Sequence, residues 1–198
     1  MREMIIPLSE MTEAKRTALH TAAFKAMKAQ GLKLIKGVSE GDLIVRELVI
    51  GDEANAADFV DLNVRTAVAT GQQEWAQDAN DLTDRTLSSV LASGETVPDE
   101  KVIGVYGFID LTPNPDLVML QFNKGSEVKD IWQVEHCYGK EPYGGINVDE
   151  NGNLKLIVWQ PNDPIDWKMC FKDGSVDKYV RLFALIAEKV GERITVKR

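Results

Sequence analysis

Two histidines and two cysteines, set against 31 aspartates and glutamates, are the scarce reactive residues of this 198-residue chain. His136 stands directly before Cys137, the pair of side chains a thiolate nucleophile with an imidazole base would need. Both fall in a segment that reads as a strand. Neighbours on a strand point to opposite faces, so the two are expected not to hydrogen-bond, and Glu135 shares a face with Cys137 instead. Asp149, Asn151 and Asn153 occupy alternate positions, as at the head of an EF-hand calcium loop. That loop needs glycine at its sixth place and glutamate at its twelfth, whereas Gly152 is fourth here and the twelfth residue is Gln160. The same residues read better as a hairpin turn around Asn151-Gly152. Asp163, Asp166, Asp52 and Glu53 read as loop charges. Gly37-Val38-Ser39-Glu40-Gly41 reads as punctuation between a helix and a strand, and the chain has no zinc-protease helix motif, phosphate-binding loop, dinucleotide fingerprint or Cys-x-x-Cys. The expectation is a protein without catalytic residues, metal or cofactor.

Aromatic residues offer a second kind of chemistry, stacking against a flat ligand such as a sugar ring. Trp132 and Trp167 each continue an alternating apolar face and are expected in the core. Trp159 precedes Gln160-Pro161-Asn162-Asp163 at a strand end, and Tyr143 lies in a glycine-rich break. These two are the candidate stacking residues.

Charge is unevenly spread. Residues 1–37 carry seven basic residues against three acidic ones, a charge of +4, which leaves −12 on the other 161 residues of a chain whose net charge is −8. Lys15, Arg16, Lys25, Lys28, Lys33 and Lys36 are therefore the candidates for facing nucleic acid or a membrane surface. The acidic body does not suit a dedicated nucleic-acid reader. Cys137 and Cys170 each sit in an apolar stretch and read as buried free thiols, although a bridge between adjacent strands would fit the spacing. No apolar run is long enough to span a membrane, and the first residues do not form a signal peptide, so synthesis and retention in the cytoplasm are expected.

The elements that would position these residues follow from periodicity. Residues 9–30 predict a helix with Ser9 or Thr12 as N-cap and Gly31 as its stop. Ala14, Ala18, Ala22 and Ala26 recur every four residues on it, flanked by Leu19, Ala23 and Met27, which predicts a narrow face for close packing. Strands are predicted over 42–50 and 60–68, followed by a long, partly helical connection over 72–93. From residue 101 the chain reads as strand after strand: 102–111, 117–122, 127–138, 146–148, 154–159 and 165–171, with turn residues between them. Val176, Tyr179, Val180, Phe183, Ile186, Ala187 and Val190 form a helical stripe, predicting a C-terminal helix over 176–191, and Ile194-Thr195-Val196 a short last strand.

The whole is expected to be mainly β: an antiparallel β-sandwich, jelly-roll-like, with an N-terminal and a C-terminal helix. A basic helical arm (1–37) would precede a β-rich domain (38–198). This layout, with Ile44-Val45-Arg46-Glu47-Leu48-Val49-Ile50-Gly51-Asp52 before a dense block opening on Val102-Ile103-Gly104-Val105-Tyr106-Gly107-Phe108, resembles small single jelly-roll capsid proteins of viruses infecting microbes. The resemblance covers strand count and layout over residues 40–171, without a diagnostic motif, and the C-terminal helix departs from the simplest form of that pattern. It implies a self-assembling coat subunit of a virion, partnered by copies of itself and by other shell proteins. A β-sandwich module that binds carbohydrate or protein is the alternative, with an enzyme third.

Overall fold

The structure, a computed structural model, describes residues 4–51, 60–66 and 75–190. In chain order its strands are β1 (Met4–Pro7), β2 (Leu43–Glu47), β3 (Ile50–Gly51), β4 (Leu62–Asn63) and β5 (Ala76–Gln77). Then come β6 (Ser88–Ser89), β7 (Lys101–Asp110), β8 (Leu117–Lys124) and β9 (Glu127–Gln133). The last four are β10 (Gly144–Val148), β11 (Ile157–Trp159), β12 (Ile165–Phe171) and β13 (Lys178–Lys189). The one α-helix among the described residues, α1 (Glu13–Leu34), lies between β1 and β2. The strand expected at 194–196, the Gly191 stop, Asp52, Glu53 and the end of the 60–68 segment lie outside the described residues.

Among the described residues the fold is mainly β, with two antiparallel sheets, a short parallel pair β3-β4 and one α-helix. The larger sheet runs β1-β10-β7-β13-β2, with β11 beside β7 and β5 beside β13. The smaller runs β6-β12-β8-β9. The pairing is nested in the chain: β2 with β13, β6 with β12, β7 with β10, and β8 with β9. The innermost pair closes through Gly125-Ser126, with Gly125 at φ +57° in the first central position, a conformation glycine adopts without strain.

The sheets face each other across a core built from alternate side chains. Ile165, Trp167, Met169 and Phe171 of β12 meet Ile103, Val105 and Phe108 of β7 and Val180, Leu182, Ala184 and Ile186 of β13. Phe122 sits among three tryptophans, its ring centroid 4.5 Å from Trp132, 6.2 Å from Trp159 and 6.4 Å from Trp167, in edge-to-face contacts. The opposite face of the larger sheet carries α1. There Leu19, Ala23, Met27 and Gly31 pack on Val102, Tyr106, Leu43, Leu185 and Ala187.

Several expectations are corrected. The C-terminal helix predicted over 176–191 is the strand β13. Its neighbours β7 and β2 hydrogen-bond along both edges while α1 and the smaller sheet cover its faces, so nearly every position is apolar and the run mimics a helical stripe. The first helix does not stop at Gly31. A Cβ there would lie 2.8 Å from Leu43 Cδ2 and 2.9 Å from the Ala187 Cβ, so the missing side chain lets the helix press onto the sheet and run on to Leu34. Thr12 is the N-cap, its side chain accepting from the Lys15 amide. The buried stripe is Leu19–Ala23–Met27–Gly31, whereas Ala14 and Ala18 of the neighbouring alanine line are exposed. Within the basic segment, β1 pairs with β10 and α1 packs on the larger sheet. The only helical turn described in the 75–93 connection is a 3-10 turn, Ala79–Asp81.

Along β7 the register against β13 shifts, so that Val105 faces Ala184 and Gly107 faces Phe183, with Tyr106 as the extra residue. Tyr106 keeps the helix side it shares with Val102 and Gly104, while the bulge turns Gly107 to that side as well and returns Phe108 to the aromatic core. A Cβ on Gly107 would lie 2.6 Å from the Gly145 carbonyl oxygen and 2.7 Å from the Phe183 ring. Gly107→Ala is expected to destabilise the fold by about 1–3 kcal/mol, read as a lower urea midpoint. Gly139→Ala, with nothing within 4 Å of the new methyl, should leave the midpoint unchanged.

Candidate functional site

A groove of about 640 Å³ opens on the helix side of the larger sheet. Its floor is apolar: Tyr106 and Ile109 from β7, Ile146 from β10, and Phe183 and Leu185 from β13. Arg16, Thr17 and His20 of α1 form one wall, Glu47 and Arg181 the far rim, and Leu111 and Pro142 one end. Arg181 donates to Glu47 at 2.5 Å, so that cation is neutralised in place. His20 Nδ1 and the Tyr106 hydroxyl are 2.5 Å apart. Burial, with Glu47 nearby, pushes the Tyr106 phenol well above its usual range, so it keeps its proton and can donate it to Nδ1. Arg16 is different, because its Nε is buried without a hydrogen-bond partner.

A second cleft, about 760 Å³, opens among the loops at one end, lined by Asn114, Asp116, Tyr138, Tyr143, Asp173 and Tyr179, among others. The rings of Tyr138 and Tyr143 are 5.9 Å apart and tilted by 32°. Tyr138 donates to Asp110 at 3.0 Å, and burial together with that carboxylate raises its phenol far above the ordinary value. Lys178, almost wholly buried, pairs with Asp116 at 2.8 Å.

The predicted site residues are scattered. Lys25, Lys33 and Lys36 are exposed; Lys28 pairs with Glu40 at 2.8 Å on the surface. Lys15 and Lys33 share a side of the helix but stand about five turns apart, so these residues do not form one patch. Arg16 lines the groove, and Lys15 lines a separate cleft of about 350 Å³ beside Gly152 and Leu154. Tyr143 lines the second cleft, half-buried. Trp159 is not a surface ring: it is fully buried, and its Nε1 donates to the Asn123 carbonyl at 2.9 Å. The apolar core between the sheets outweighed the polar residues that follow it in sequence.

His136 and Cys137 are not on a strand but on a 3-10 turn, Glu135–Cys137, which brings Sγ within 3.8 Å of Nε2. That nitrogen already faces the Ile5 carbonyl at 2.8 Å, which can only accept, so it carries a proton and cannot take one from sulfur. Burial, with Glu10 nearby, pushes the Cys137 thiol up to about 12. The pair therefore stays a thiol beside a hydrogen-bonded imidazole, and Cys170 is likewise buried and free. Asp149 spends its carboxylate on the hairpin turn, accepting from the Asn151 and Asn153 amides at 2.8 and 2.9 Å. Among the described residues no group of three or more His, Cys, Asp or Glu could hold a metal ion. No described helix is long and apolar enough to cross a membrane. Sequence reasoning missed Tyr106, Glu47 and Arg181. The lone hydroxyl inside Val102–Phe108 was the available signal for the first.

Comparison with family models, with curated proteins and with solved structures finds no match.

At the end of the larger sheet lies a buried charge cluster with a structural role. Arg46 donates to both oxygens of Asp61 at 2.6 Å and to Glu188 at 2.7 Å, and Lys101 stands 3.4 Å from Glu188. The Asp61 carboxylate also accepts from the Val49 amide at 2.9 Å. Burial pushes the Glu188 carboxyl up, but Arg46 and Lys101 outweigh it and hold the pKa below the ordinary glutamate range. A depressed folded pKa contributes stability above the unfolded value of about 4.3, and that contribution is lost as pH falls through the folded value. Glu188→Gln is expected to cost about 3–5 kcal/mol at neutral pH. Urea midpoints taken from about pH 7 down to about pH 3 should fall less steeply for this variant than for the parent.

Proposed function

We propose that the chain is a self-assembling structural protein, a jelly-roll coat subunit of a microbial virus whose partners are copies of itself and other shell proteins. The observation that carries this reading is the nested pairing. Of the eight strands β2, β6, β7, β8, β9, β10, β12 and β13, the first pairs with the last, the second with the seventh, the third with the sixth and the fourth with the fifth. A long hairpin rolled up in this way into two facing sheets is the jelly-roll arrangement, used by viral capsid domains and also by lectins and cupins. The segment expected to depart from that pattern contains β13, and its pairing with β2 supports the reading. The space between the sheets is filled by Trp132, Trp159, Trp167, Phe108, Phe122 and Phe171, all fully or almost fully buried. That favours a role for the outer surfaces over a ligand held inside the barrel.

One flank suits contact with another protein. β1 and β9 are edge strands of the two sheets on the same side, and Met4, Val128 and Ile131 on them are each 48% exposed. Between them lies a cleft of about 870 Å³ with Asn147 in its lining, a fully buried carboxamide whose oxygen and nitrogen both lack partners. Such an amide matches the paired donor and acceptor of another chain's backbone. Lys129 forms a bulge on β9, which discourages simple extension of the sheet and leaves side-chain packing as the mode of contact. Light scattering over a range of protein and salt concentration should give a mass of many chains, with particles visible by electron microscopy. Met4→Glu combined with Ile131→Glu should return it to the mass of one chain with unchanged circular dichroism. A parent protein that stays monomeric throughout overturns the reading.

The second reading, a carbohydrate-binding module, rests on the tyrosine cleft, where tilted rings stand beside Asn114, Asp116 and Asp173 as a sugar site requires. If it holds, a glycan array probed with the protein gives a hit that Tyr143→Ala abolishes. A blank array with the parent protein removes it.

A further inference from the structure

We infer that the groove between the first turns of α1 and the larger sheet is a binding site for a single-chain amphiphile ending in a carboxylate, with the head on Arg16 and the chain along the apolar floor. The inference stands on the groove alone and does not depend on the assembly reading.

The cavity, about 640 Å³, lies within the range of roughly 300–1,000 Å³ typical of small-molecule sites. Its lining is mostly hydrocarbon and aromatic ring, from Tyr106, Ile109, Ile146, Phe183 and Leu185, which suits a chain rather than a polar metabolite. The polar groups around it are satisfied with one exception. Arg181 is paired with Glu47, and His20 with Tyr106, so neither pair needs a ligand. Arg16 makes no ion pair among the described residues, and its Nε is shut away from water without an acceptor. A buried N–H left unpaired is costly, and an acceptor supplied by a ligand would relieve that cost. A planar guanidinium offers two parallel N–H donors, the match of a carboxylate. A phosphate or nucleotide would call for several cations, and only one is uncommitted here.

Leu111 and Pro142 line the groove as well, and Leu111, 60% exposed, adds a large hydrophobic side chain that faces water.

Isothermal titration with dodecanoate, kept below its micelle concentration, tests this on the full chain. The parent protein should bind one equivalent saturably, and dodecanol, with the same chain but no charge, should bind at least tenfold more weakly. Acetate, with the head but no chain, should not bind measurably. Arg16→Gln should weaken dodecanoate at least tenfold, while Lys25→Gln, on the exposed side of the same helix, should leave it unchanged. Leu111→Glu, a surface change that should not disturb folding, puts a like charge in the apolar lining and should weaken binding by a similar factor even if Arg16→Gln lowers the melting temperature. Absence of saturable dodecanoate binding, or equal binding by parent and Arg16→Gln, overturns the inference. So does binding to anionic phosphatidylserine vesicles without binding of the monomeric acid, which would make the surface a membrane contact.

Discussion

β13 is hydrogen-bonded on both edges and covered on both faces, and its alternation distributes the rest of the molecule. Side chains at 180, 182, 184 and 186 enter the core shared with the smaller sheet, while 183, 185 and 187 meet the helix side. The same alternation sends Arg181 to the rim of the groove and Glu188 to the buried charge cluster. A slip of one residue would exchange all of these at once, bringing Glu188 under α1 and Leu185 against Arg46. The cluster of Arg46, Asp61, Lys101 and Glu188 therefore acts as a register pin, because a displaced carboxylate would leave two cations with fewer partners in a place where water does not compensate.

The bulge at Tyr106 follows from the same requirement. β7 must present Ile103, Val105 and Phe108 to the aromatic core, a spacing that strict alternation does not allow. Inserting one residue restores Phe108 to the core and leaves two consecutive residues, Tyr106 and Gly107, on the helix side. Gly107 has no side chain, so Phe183 and Gly145 close over it, while the Tyr106 ring stands up toward His20. The floor of the groove is thus a product of fitting β7 to two layers, and α1 supplies only the wall.

Much of the β architecture was legible in the residues. The strands from 101 to 171 follow from alternation and turn chemistry, as Ile165, Trp167, Met169 and Phe171 against Asp166 and Lys168 illustrate. The N-terminal helix was equally clear from Thr12 and its acidic first turn. What failed were positions where two faces are buried or where tertiary contact overrides local punctuation. Apart from Arg181, Val180 through Ala187 are apolar on both sides, so no period distinguishes strand from helix. Gly31 reads as a stop only until Leu43 and Ala187 are seen against it, and Trp159 reads as exposed only until the sheets close over it. The groove was nearly invisible, since Arg16, Glu47, Tyr106 and Arg181 come from four elements whose adjacency is set by topology. Arg16 could be singled out as a charge, but nothing local distinguished it from Lys15.

An interior filled by tryptophan and phenylalanine constrains where function can reside. With the space between the sheets occupied and one outer face under α1, recognition falls to the groove beside the helix, the tyrosine cleft among the end loops and the flank between β1 and β9. These three sites differ in what they leave unsatisfied. The groove holds a cation without an anion, the flank holds a carboxamide without partners, and the tyrosine cleft has its buried groups, Tyr138 and Lys178, already paired with Asp110 and Asp116. Buried polar groups that the chain itself does not satisfy are the more costly features to keep, so the groove and the flank carry the stronger physical claim to a partner than the cleft does. The flank lies beside strand edges and the groove beside a helix, so the two can be occupied together: a shell contact at one and an amphiphile at the other would not compete for surface.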